Sequence, residues 1–200
     1  MRLFAAVRPP EHVLLHLEQA LAGVGSLADG AGVRWSSEEN LHLTLAFFGD
    51  VPDGAVDALG DGLARAGGRA LPFRLSLRGA GVFGSRTLWI GAGGAVESMV
   101  GLAAAARAEG EGVSRFRDER PRQRPHLTVG RVVQSRTGRR RGAPRLPVEA
   151  VHLVRALAVY EGPEWTVDEA LLLSSVPGAG RGGGPLYEIV QSARVGTVAG

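Results

Sequence analysis

The sequence predicts an α+β fold built as one two-lobed unit. Three observations carry this: strand-like and helix-like patterns alternate along the chain, they lack the regular strand–helix spacing of a doubly wound sheet, and one short strand pattern occurs once in each half. No Gly-rich phosphate turn follows the first strand pattern, so a mixed or antiparallel sheet fits better than a parallel one. The stretches 136–147 and 177–185 are rich in Gly, Arg and Pro and read as loops, not as domain linkers, so residues 1–200 are taken as a single two-lobed domain.

Residues 2–7 read as the first strand. Pro9-Pro10 separates it from a helix over 11–22, where Val13, Leu14, Leu17 and Leu21 fall at helical spacing. A Gly-rich connection leads to a strand over 40–48, stopped by Gly49-Asp50-Val51-Pro52, and Asp53 is placed to cap a helix reaching Ala66. Strands are expected at 73–78 and 87–90, then an Ala-rich helix over 95–109. In the second half, 125–133 reads as a strand, 148–159 as a helix, and 167–175 and 187–193 as strands.

Composition narrows the chemistry. The chain has 44% hydrophobic residues, but Arg, Asp, Glu or Gly interrupts each apolar run before the roughly 18 residues that a membrane helix needs. The opening apolar run ends too early, at Arg8 and the Pro pair, to act as a secretory signal, so the expectation is a cytoplasmic protein without membrane association. Cysteine is absent, which removes disulfides, thiolate nucleophiles and Cys-ligated zinc. All 23 basic residues are Arg, and without a Lys amine neither a Schiff base nor a nucleotidyl-lysine can form. Net charge is only +3, yet residues 115–145 hold eleven Arg against Asp118 and Glu119. Such a cluster attracts phosphate, or else forms a solvated loop.

The informative feature is a repeated tetrad, His42-Leu43-Thr44-Leu45 and His126-Leu127-Thr128-Val129, 84 residues apart. Side chains alternate along a strand, so Leu41, Leu43 and Leu45 point to a core while His42 and Thr44 share the other face. Leu127 and Val129 do the same for His126 and Thr128. Phosphodiester cleavage by water needs one proton removed and another delivered, and two imidazoles titrating near neutrality can do both. The two Thr hydroxyls can hydrogen-bond nonbridging phosphate oxygens. Strict alternation also sends Phe48 to the cleft, where it could stack on a base, and Phe47 to the core; a bulge would reverse them.

These residues resemble the two-histidine phosphoesterases, specifically the RNA 2',3'-cyclic phosphodiesterases, historically called 2'-5' RNA ligases. The resemblance runs through residues 2–6, the run 40–49, Leu88-Trp89-Ile90-Gly91, the run 125–131, Leu171-Leu172-Leu173-Ser174-Ser175 and Pro185-Leu186-Tyr187. It implies two pseudo-symmetric, mostly antiparallel sheets flanking a cleft, with helices outside. It implies conversion of a 2',3'-cyclic phosphate to a 2'-phosphomonoester, with no metal and no other cofactor, on RNA or a nucleotide bearing that end. Arg131 is similar to the family's phosphate-contacting arginine, and Tyr187 is a candidate cleft residue. Family analogy makes His42 the acid and His126 the base, an assignment that the residues themselves leave open. A monomer is expected. The stretch 131–147 departs from the family pattern by its length and its Arg139-Arg140-Arg141 run, which bears on substrate size more than on chemistry.

Two other readings compete. His12 and His16 stand four apart on a predicted helix, but Val13-Leu14-Leu15 lacks the glutamate of a zinc-enzyme His-Glu-x-x-His, and His152 has no candidate ligand near it in sequence. The second is a non-catalytic RNA-binding protein that holds phosphates with the basic stretch 115–145. It predicts salt-sensitive binding without turnover.

Overall fold

The computed structural model describes residues 1–114, 124–133 and 146–196. In chain order the elements are β1 (Arg2–Val7), α1 (Glu11–Gly23), α2 (Gly25–Gly30), β2 (Val33–Trp35), β3 (Leu43–Asp50), α3 (Val56–Gly68), β4 (Phe73–Phe83), β5 (Thr87–Gly94), α4 (Val96–Glu111), β6 (His126–Val132), α5 (Val148–Leu157), β7 (Trp165–Val167), β8 (Glu169–Val176) and β9 (Leu186–Arg194). Short 3-10 turns lie at Glu38–Asn40, Asp53–Ala55 and Arg181–Gly183.

Eight strands pair in the order β7-β4-β5-β6-β3-β1-β8-β9, and β2 adds to β6. Each of these pairings is antiparallel. The two halves, β7-β4-β5-β6 and β3-β1-β8-β9, meet through the single pair Leu43↔Leu127. Because Leu127 and Arg131 also pair with β5, that strand lines one edge of β6; β3 and β2 must share the other edge, β3 at Leu127 and β2 at Gly130–Val132.

Strand alternation explains how β1 can be buried throughout its last five residues. Leu3, Ala5 and Val7 enter the main core, while Phe4 and Ala6 join Leu171 and Leu173 in a small cluster on the opposite face. Helices cover the core face: α4 lies on β3, α5 on β4, and α3 packs against α4 and β9. Arg65 and Arg69 both grip Glu109 across the α3–α4 seam, at 2.8 and 3.0 Å.

Several sequence expectations shift. Asp53 does not cap α3: it lies in a 3-10 turn, 92% exposed and 3.9 Å from the terminal amine, and Ala55 is the residue preceding the helix. The strand expected over 73–78 continues to Phe83, because Gly79 at φ +65° forms a bulge that keeps the ladder with β5 going through a Gly-rich run resembling a turn. The strand expected over 167–175 breaks at Asp168, so that β7 joins β4 in one half and β8 joins β1 in the other. The Gly-rich connection contains α2 and β2, too short to show periodicity and held by packing of α2 on α5 and pairing of β2 with β6. Most of the basic stretch 115–145, including Arg139-Arg140-Arg141, lies outside the described residues; of its arginines, Arg124 and Arg131 are described.

Candidate active site

His42 is the residue just before β3, and His126 is the first residue of β6. Leu41, Leu43, Leu45, Leu127 and Val129 are all buried in the core. That anchoring turns His42, Thr44, His126 and Thr128 onto the open face, where all four line one cleft of about 980 Å³. In an antiparallel pair, carrying the Leu43↔Leu127 register one residue each way sets His42 opposite Thr128 and Thr44 opposite His126. The two histidines are then diagonal neighbours, about 7–8 Å apart at the backbone.

Both rings are held in the same way. His42 Nδ1 donates to the Asn40 carbonyl at 2.8 Å, and His126 Nδ1 donates to the Arg124 carbonyl at 3.0 Å. A carbonyl only accepts, so Nδ1 carries the proton, and Nε2 is the ring nitrogen that could take one up. Asn40 has a second function: its amide donates to Ser37 Oγ at 3.0 Å and to the Pro185 carbonyl at 3.1 Å, tying the β8–β9 loop beside His42.

The repeat extends past the tetrads. A bulge in the β1–β3 ladder falls at Leu45, and one in the β5–β6 ladder falls at Val129, 84 residues on. Each bulge moves the next cleft-facing position by one residue, to Phe47 in β3 and Arg131 in β6, and both line the cleft. This corrects the expectation for Phe48. Its side chain is only 3% exposed, packed in the core where any Cβ on Gly110 would come within 2.5 Å of its ring, and its carbonyl accepts the Ser114 hydroxyl. Phe47 faces the cleft in its place.

Around His42 lie the rings of Phe4 at 4.9 Å and Tyr187 at 5.3 Å, and Phe47 stands 5.7 Å from Phe4. Burial pushes the Tyr187 phenol above its usual range, against the opposing pull of Arg131 and Arg2, so it remains a protonated donor at neutral pH. Beside His126 lie Phe83 at 4.8 Å and Trp89 at 6.2 Å, stacked on each other. Four arginines line the cleft, Arg34, Arg124, Arg131 and Arg181, and no Asp or Glu is among its described lining residues. Such a wall attracts anions.

Sequence reasoning missed Arg34, Asn40, Phe83 and Arg181, since β2, the turn before β3, the β4–β5 hairpin and the β8–β9 loop converge only on folding. The His12–His16 pair does not gather a metal site: among the described residues no group of three or more potential ligands converges, and His16 Nδ1 lies 3.1 Å from the Tyr160 hydroxyl.

Fold and cleft together define a two-histidine phosphoesterase. A model of the LigT-like phosphoesterases matches residues 7–90. A curated RNA 2',3'-cyclic phosphodiesterase of Thermus thermophilus is 34% identical over 205 residues, covering 92% of this chain and 96% of that protein. The protein of the same name from Geobacillus stearothermophilus is 34% identical over 137 residues, 65% of this chain but only 40% of its own length. A crystal structure of a Thermus thermophilus protein superposes with a TM-score of 0.67 at 26% identity, covering 98% of this chain and 99% of that one. The chain belongs to the LigT-like phosphoesterase family. No helix among the described residues is long and apolar enough to cross a membrane.

Proposed function

We propose that this enzyme opens 2',3'-cyclic phosphate ends of RNA to 2'-phosphomonoesters by proton exchange between His42 and His126. The observation that carries the reading is the pair of Nδ1-anchored imidazoles set diagonally about Leu43↔Leu127 in an arginine-lined cleft. The curated relatives bearing the name RNA 2',3'-cyclic phosphodiesterase support the substrate class.

A 2'-phosphate product means that the ribose 3' oxygen departs. One imidazolium delivers a proton to that oxygen, while the other ring, neutral at Nε2, removes one from the attacking water. Thr44 and Thr128 hydrogen-bond the nonbridging oxygens, where negative charge grows as water adds to phosphorus. Arg131 neutralises the same charge from along β6, and Tyr187 and Phe47 form the apolar wall beside His42. Both proton transfers are supplied by side chains, so the step needs no metal. A 5'-hydroxyl in place of water would open the same cyclic phosphate, bonding to phosphorus as the 3' oxygen leaves, and form a 2'-5' linkage without ATP, which fits the absence of Lys.

The test is turnover of a short RNA ending in 2',3'-cyclic phosphate, in EDTA. The expected product is the 2'-phosphomonoester. Absence of product at every pH from about 5 to 8, the range in which imidazoles titrate, would overturn the reading.

A further inference from the structure

We infer that Asn40 is a positioning residue whose side chain couples the ring of His42 to the seating of the β8–β9 loop, a tie with no counterpart at His126 among the described residues. This rests on the two-histidine reading and adds to it what fixes one of the rings.

Asn40 acts through both its backbone and its side chain. Its carbonyl accepts the His42 Nδ1 proton at 2.8 Å, so any rotation of residue 40 moves the acceptor that orients the ring. Its amide donates to the Pro185 carbonyl at 3.1 Å and to Ser37 Oγ at 3.0 Å. The opposite orientation of the amide would set its oxygen against the Pro185 carbonyl, two acceptors without a proton, so the donors must face these partners. Oδ1 is buried and accepts no hydrogen bond among the described residues, a cost that an apolar residue of the same size would avoid. Fold stability alone does not explain an amide here.

A second tie joins the same turn to the same loop. The Glu39 carboxyl is held below its usual range by its backbone hydrogen bond first and then by the Ser37 hydroxyl, with Arg181 and Arg8 adding to the pull. Because that hydroxyl donates to Glu39, its lone pairs are left for the Asn40 amide. Arg181 belongs to the β8–β9 loop, which folds back on itself: the Gly180 N–H donates to the Gly184 carbonyl at 2.9 Å, and the Pro185 oxygen leaves no room for a Cβ on Gly180. Tyr187, two residues beyond Pro185, brings its ring to 5.3 Å from that of His42. One amide therefore sets the loop, the tyrosine beside the ring and the carbonyl that holds the ring.

At His126 the acceptor is the Arg124 carbonyl, at 3.0 Å. Arg124 is exposed, and among the described residues no hydrogen bond runs from its side chain to another element. The backbone anchor is duplicated, but the side-chain latch is not. Small displacements matter in such a site, since about 1 Å of misplacement can cost about 10²-fold in rate.

The experiment uses Asn40→Leu, which keeps the size of the side chain and removes both donors. It should lower kcat on an RNA ending in 2',3'-cyclic phosphate by about tenfold or more. Nitrogen NMR of the imidazoles should show His42 losing its fixed Nδ1–H tautomer while His126, in the same molecule, keeps its own. A general loosening of the fold would move both rings. Pro185→Gly frees the loop at its latch and leaves Asn40 unaltered; it should shift His42 in the same direction and add little to Asn40→Leu. Near-normal kcat in a folded Asn40→Leu protein, an unchanged His42 signal, or equal change at both rings overturns the inference. Where Asn40→Leu does not fold, the same comparison of the two rings in Pro185→Gly decides it. If His42 alone responds but the unaltered protein does not hydrolyse cyclic ends, the positioning stands and only the reading of the reaction falls.

Discussion

Each histidine has two aromatic neighbours, Phe4 and Tyr187 at His42 and Phe83 and Trp89 at His126, but the next cleft position is Phe47 on the strand that follows His42 and Arg131 on the strand that carries His126, with Arg34 beside it on β2. The backbones of the two places match closely. Each histidine donates Nδ1 to the carbonyl two residues before it, each shares its face with a threonine two residues on, and each strand bulges before its third cleft position. The side chain at that third position differs: phenylalanine in one half and arginine in the other. The duplicated parts are those that two proton transfers require. The divergent parts are where an asymmetric substrate, with a nucleoside on one side and charged phosphates along its chain, would have to be told apart.

The comparison is broken most severely at the histidines. His42→Ala and His126→Ala should each lower turnover by about 10²-fold or more while RNA binding persists, because in the proposed mechanism each ring performs a transfer that the other cannot perform in the same step. The unaltered enzyme should show a bell-shaped pH profile, and each variant should lose one limb; rates near normal for either would contradict a shared acid–base role. These profiles also assign acid and base, since removal of the acid abolishes the alkaline limb.

Phe47 and Phe48 sharpen the comparison at the next level. Phe48→Ala should cost about 3–5 kcal/mol of stability, as for other buried aromatics cut to alanine, measured by denaturant unfolding. Phe47→Ala should leave unfolding nearly unchanged and raise KM for the RNA end several-fold. The reverse pattern would mean that the bulge at Leu45 does not redirect the strand.

The two tyrosines give the smallest effect. Tyr187 is at the cleft, whereas Tyr160 is buried against His16, and burial pushes its phenol up to about 12 from the ordinary 10. A phenol raised on folding favours the folded state fully below pH 10 and loses that contribution as pH rises through about 12, because the unfolded chain ionises first. Stability should therefore fall more steeply between pH 10 and 12 in the unaltered protein than in Tyr160→Phe, followed by thermal unfolding. Parallel curves would remove Tyr160 from the account.

Much of this was legible along the chain. The tetrads needed only period-two alternation, because Leu43 and Leu127 stand between His and Thr and no other assignment buries them. α1 likewise declared itself by its helical spacing, β1 by a short apolar run before Pro9-Pro10, and α4 by its Ala-rich composition. Local pattern could not reveal Gly79 as a bulge that continues β4, because the same glycine-rich run serves equally well as a turn. Asp53 has the chemistry of a cap and the right spacing, yet the chain spends that position on a 3-10 turn.

Residue order therefore pointed to the proposed reacting pair, excluded cysteine and lysine chemistry, and indicated an antiparallel α+β architecture, since these depend on side-chain identity and near neighbours. Tertiary structure alone decided that Leu43 meets Leu127, that bulges exchange Phe48 for Phe47, and that Arg34 comes to lie beside Arg131. Those outcomes depend on register between strands distant in sequence, which a shift of one residue would reverse and no local periodicity encodes.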